Sequence, residues 1–138
     1  MSRTIENIKP TGRYLGLVVL VVIQSIVGII HSFFGFAMIS GIYSVASYST
    51  APAIYSYYTL VYGLLSLSFI ILFWMGKRSG WIGTWAISSF VILVDTTAVF
   101  SLFNVLGIPK FAALGEVPYS LFILFYLIED HIRSKFNI

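Results

Sequence analysis

The sequence predicts an all-α integral membrane protein, a four-helix up-down bundle with both termini on the cytoplasmic side. Three observations predict it. Hydrophobic residues make up 59% of the 138, charged residues 9%, and the mean hydropathy is +0.96; a soluble domain carries about 25% charged residues. The apolar residues fall into four runs joined by short segments, and a helix of about 20 such residues crosses a bilayer. Seven of the eight Lys and Arg residues lie on one side of that threading, the side that the positive-inside rule makes cytoplasmic. The whole chain, 1–138, reads as one transmembrane domain with no room for a separate soluble one.

The first span is expected over 14–42, "YLGLVVLVVIQSIVGIIHSFFGFAMISGI", preceded by Arg3, Lys9 and Arg13. A cleavable signal would have an apolar core of only about 7–15 residues, so an uncleaved span is the better reading, although "SVA" at 44–46 resembles a cleavage site. Residues 43–58, rich in Ser and Tyr and without charge, read as a loop or interfacial segment. The second span is expected over 55–75. "GKRSG", 76–80, is a tight basic turn, and Trp74, Trp81 and Trp85 around it form an aromatic belt. The third span is expected over 81–103. Gly107, Pro109, Gly115 and Pro118 then break the pattern in 104–118. The last apolar run, 119–128, would be only about 15 Å long as a helix. The fourth helix, placed over 111–132, is therefore expected to be short or interrupted near Gly115–Pro118. Beyond it the tail "EDHIRSKFNI" leaves the membrane, with His131 in solvent.

Three ionisable side chains fall at membrane depth. Counting 1.5 Å per residue, Asp95 stands about 21 Å above the inner end of its helix, His31 about 25 Å and Glu116 about 18 Å. All three belong to the outer half, at similar height. Such groups are functional candidates because an unpaired charge in lipid is expensive. The candidate polar site is thus His31, Asp95 and Glu116. The plainer alternative is a structural clamp, with Asp95 bonded to neighbouring hydroxyls or to His31, within or between chains; it is preferred over an ion or proton role, and that over an enzyme site. One His and two carboxylates are a weak metal signal, and no metal is assigned.

Helix packing is assigned to Gln24, as an interhelical hydrogen bond, and to small residues at helical spacing: Gly28 and Ser32, Gly63 and Ser66, and Gly80, Thr84 and Ser88. Asp95 continues the face of the last three and should point into protein. No cofactor is expected. The absence of cysteine removes disulfides, iron–sulfur clusters and thiol catalysis. A transmembrane b-type haem needs two facing histidines, and only His31 is at depth. There is no P-loop, nucleophile elbow or HExxH, and the many aromatic residues, placed in lipid-facing and packing positions, make no case for nucleic acid.

The stretch "LVYGLLSLSFIILFWMGKRSGW" and the ending "FYLIEDHIRSKF" resemble small four-helix prokaryotic membrane proteins, and the Ile/Tyr/Ser-rich composition resembles archaeal chains. Proteins of that shape often serve as accessory subunits of membrane complexes such as respiratory oxidases or membrane monooxygenases. The resemblance implies a non-enzymatic structural subunit of the cell membrane, in contact with lipid and with other subunits in a hetero-oligomer, or with its own copies. The alternative is a small transporter or channel component that handles protons or cations at His31, Asp95 and Glu116.

Overall fold

The structure, a computed structural model, describes residues 12–42, 53–102 and 107–138. These form α1 (Gly12–Ile39), α2 (Ala53–Trp74), α3 (Arg78–Val99), α4 (Lys110–Leu127), the short α5 (Asp130–Arg133) and a closing 3₁₀ turn (Ser134–Phe136). The first four are each long and apolar enough to cross a membrane. Large apolar side chains such as Ile29, Phe33, Leu64, Leu93 and Phe125 point outward along them, as lipid requires of a spanning bundle.

Consecutive helices pack on one another: α1 on α2, α2 on α3 and α3 on α4. Without a hydrophobic drive between helices in lipid, close packing has to hold them. On α1 and α2 glycine permits it: a Cβ on Gly63 would stand 2.4 Å from the Ser32 nitrogen, and one on Gly35 2.4 Å from the Leu60 nitrogen. Gly80 does the same for α3, where a Cβ would lie 2.1 Å from the Phe73 nitrogen. The pairs 35 with 60 and 32 with 63 also show that α1 and α2 run in opposite directions. Scarcely any α-carbons of α1 and α4 come within 8 Å. That seam is bridged by long side chains instead, with Tyr126 lying over Gly16 and Tyr119 donating to the Gln24 side chain.

Several boundaries differ from expectation. α1 stops at Ile39 because Gly41 turns into the left-handed region (φ 71°), and α3 stops at Val99, before Ser101 at φ 56°. α2 begins at Ala53, two residues before the expected start of the second span and within the Ser- and Tyr-rich segment; residues 43–52 and 103–106 lie outside the described residues. α4 is not interrupted. It runs unbroken through Pro118, about 27 Å by helical rise, though it remains the shortest of the four. Proline is tolerated in a membrane helix where neighbours support the freed backbone. It ends at Leu127, not near 132, where the Trp81 indole donates to the Leu127 carbonyl at 3.1 Å and so satisfies one of the terminal oxygens.

The tail does not simply leave. α5 and the 3₁₀ turn fold back under the bundle, burying Ile132 and Phe136 against Leu17, Leu20, Ile70, Phe73, Ile123 and Leu127. Phe136 meets Phe73 with ring centroids 4.6 Å apart. His131 is half-buried, 5.9 Å from the Tyr126 ring, and its Nε2 is enclosed without a partner.

Candidate functional site

Polar side chains collect toward the other end of the bundle, the end opposite the tail. Counted along each helix from that end, Asp95 lies about 6 Å in, Glu116 about 9 Å and His31 about 12 Å. His31 Nε2 and Glu116 Oε1 are 3.0 Å apart, across the α1–α4 seam. His31 Nδ1 stands 2.8 Å from the Val27 carbonyl. A carbonyl can only accept, so Nδ1 carries a hydrogen. The remaining proton of the pair therefore sits between Nε2 and Oε1, and on either atom the pair has no net charge.

Asp95 is behind this pair and is 0% exposed. It is close enough for the charges of Glu116 and His31 to act on it, yet among the described residues neither carboxyl oxygen has a hydrogen-bond partner. The Tyr58 hydroxyl, within electrostatic reach of Asp95, is likewise enclosed without a partner. Tyr62 sets its ring edge-to-face on His31, centroids 4.7 Å apart, and stacks with Tyr58 at 6.2 Å. The structure thus brings His31, Asp95 and Glu116 together. Among the described residues, no three His, Cys, Asp or Glu side chains are grouped to hold a metal ion.

The packing residues fall as follows. Gln24 is buried and receives the Tyr119 hydroxyl. Gly28 faces Leu67 and the Gly63 carbonyl, and Ser32 lies against Gly63. Ser66 is buried on α2. Gly80, Thr84, Ser88 and Asp95 occupy the buried face of α3, where Thr84 bonds back to the Gly80 carbonyl at 2.8 Å. The residues that sequence reasoning missed are Tyr58, Tyr62 and Tyr119, set aside there as lipid-facing or packing aromatics. A signal was present: Tyr55, Tyr58 and Tyr62 follow at helical intervals of three and four, which puts them on one face.

The polar interior does not continue to the tail end. It includes Thr59, Tyr62, Ser66, Gln24, Ser88, Thr84 and Ser120, and then gives way to the apolar cluster that holds the tail residues Ile132 and Phe136. At the opposite end a second apolar cluster, Ala98, Ile108 and Ala113, lies beyond Asp95 and Glu116, so the polar side chains occupy the interior between the two. Four such helices around a partly polar core are the architecture of a multi-pass membrane protein. No protein-family model matches the chain, nor does any curated protein or solved structure.

Proposed function

We propose that the chain is a non-catalytic subunit of a larger membrane assembly, with its N and C termini on the cytoplasmic side and its α1–α4 face against another membrane subunit. The observation that carries this is the exposure of the His31–Glu116 pair. Their side chains are 18% and 20% exposed, at a depth where lipid would otherwise touch them. A polar pair facing hydrocarbon is costly, and such groups in known membranes face protein or water. α1 and α4 are also the least buried of the four helices, with 22% of the spanning window of each inside the fold. A transmembrane helix that offers a hydroxyl or amide to the pair fits this face. The orientation rests on the distribution of Lys and Arg.

A second reading, a small transporter or channel component for protons or cations, is favoured by the unpartnered Asp95. The apolar closure at the tail end weighs against a continuous path.

Site-specific photo-crosslinking in native membranes tests the subunit reading. A crosslinker at Ile30, exposed beside His31, should capture one defined membrane protein, and Glu116→Gln should weaken the capture. A crosslinker at the exposed Leu93 of α3 should not capture it. Capture of lipid alone, or of the same chain alone, at Ile30 would overturn the proposal.

A further inference from the structure

Asp95 asks for something that the described residues do not supply. Its two oxygens are fully enclosed and unpartnered, whereas buried carboxylates elsewhere are paired and hydrogen-bonded. The groups that face it come from the other three helices: His31 on α1, Tyr58 and Tyr62 on α2, and Glu116 on α4. None of them is a Lys or Arg. The His31–Glu116 pair is neutral in sum, so an ionised Asp95 leaves the cluster with one uncompensated negative charge. One positive charge completes it.

We propose that Asp95, Glu116 and His31 form a proton-binding site that takes up one proton through the α1–α4 seam. A proton fits the geometry because it needs no room around a carboxyl that is already closed in on every side. Occupied, the site holds two protons: one in the His31–Glu116 contact and one between the Asp95 and Glu116 carboxyls. Empty, it holds only the first. Uptake changes the cluster from one net negative charge to none, and the proton comes from water.

Its route is set by exposure. Asp95 touches nothing outside the protein, while Glu116 and His31 lie in front of it and are partly open. A proton therefore enters at the His31–Glu116 contact and passes to Asp95 by way of the Glu116 carboxyl, which can accept at one oxygen and release from the other. Among the described residues, nothing continues this route past the apolar cluster around Phe73 and Phe136, so the proton returns by the way it came. In the orientation proposed above, that is the outer side. The site would then register the proton concentration on that side of the membrane, with water reaching Glu116 between α1, α4 and the partner subunit proposed above.

Infrared spectroscopy of the full chain in lipid nanodiscs tests this without relying on a variant that has to fold. The sequence contains two aspartates, Asp95 and Asp130, so labelling aspartate with carbon-13 marks one buried and one exposed carboxyl. Across a descending pH series, a protonated-carboxyl band should appear that shifts on aspartate labelling and persists in Asp130→Asn. It should be lost entirely in Asp95→Asn and change position in Glu116→Gln. A band that ignores the aspartate label, or that disappears with Asp130→Asn, would overturn the proposal. So would the absence of any labelled band other than that of Asp130 over the range in which the helical circular dichroism is unchanged.

Discussion

His31 shows how one residue can be fixed by two bonds of different kinds. Its Nδ1 is committed to the Val27 carbonyl one turn earlier on α1, and this aims Nε2 across the seam at Glu116. Second-bond control of imidazole orientation is general, and here it gives α1 its link to α4 near one end. The Tyr119 hydroxyl on Gln24 is the corresponding link nearer the middle. Interhelical hydrogen bonds in membranes average about 0.6 kcal/mol and reach about 1.7. Tyr119→Phe should therefore lower stability within roughly that range, measured by reversible unfolding in mixed micelles, because it removes the hydroxyl and leaves the ring in place. A loss of several kcal/mol would show that the bond holds more than the seam. The ionisable residues were legible at this scale, since His, Asp and Glu stand out in apolar runs. Which nitrogen faces which oxygen was not, because that depends on a backbone carbonyl no residue type announces.

At the scale of the helix, glycines divide into those that are needed and those that are not. Gly63 sits where α1 and α2 touch backbone to backbone, and a methyl group there would lie 2.4 Å from the Ser32 nitrogen. Gly63→Ala should force the helices apart and cost about 1–3 kcal/mol, the usual range for overpacking. Gly115 is the opposite case, on an exposed stretch of α4 with nothing within 4 Å of an added Cβ. Gly115→Ala should be neutral or stabilising by up to about 1 kcal/mol, since alanine is the better helix former. Unfolding measurements on the two variants in the same detergent decide between packing and propensity; equal effects would refute the assignment of the α1–α2 contact. Spacing indicated that Gly28, Ser32, Gly63 and Ser66 belong to contacts, as small residues do in lipid. Spacing did not show that α4 stays helical through Pro118. Gly115, Glu116 and Pro118 each argue locally for a break, yet α4 runs on, with Ala113, Ser120, Ile123 and Leu127 buried in the bundle.

For the whole molecule, the asymmetry between the two ends is the main feature. Toward one end the interior carries His31, Asp95 and Glu116, with the small apolar cluster of Ala98, Ile108 and Ala113 beyond them; the other end is filled by large apolar side chains from α1, α2 and α4 and from the tail. Phe136 is 2% exposed and rests on Phe73. Its burial withdraws an aromatic side chain from water, so Phe136→Ala should destabilise the chain by about 3–5 kcal/mol. The C-terminal residues should also become sensitive to carboxypeptidase. Unchanged stability together with unchanged proteolysis would mean that the tail is not part of the closure.

Composition determined the solvent in which this chain folds, because 59% hydrophobic and 9% charged residues cannot cover a surface in water, and the four apolar runs determined the number of its long helices, because lipid permits only helices or closed barrels. The periodicity of Gly80, Thr84, Ser88 and Asp95 also settled that they share one face of α3, since a helix repeats every 3.6 residues. Tertiary structure decided the rest. It placed Glu116 on His31 and left Asp95 behind them without a partner, it drew three tyrosines into the interior, and it folded the tail beneath the bundle. These depend on the rotation of each helix about its axis and on where the chain returns after Leu127. Both are set by contacts between distant segments, which no local pattern encodes.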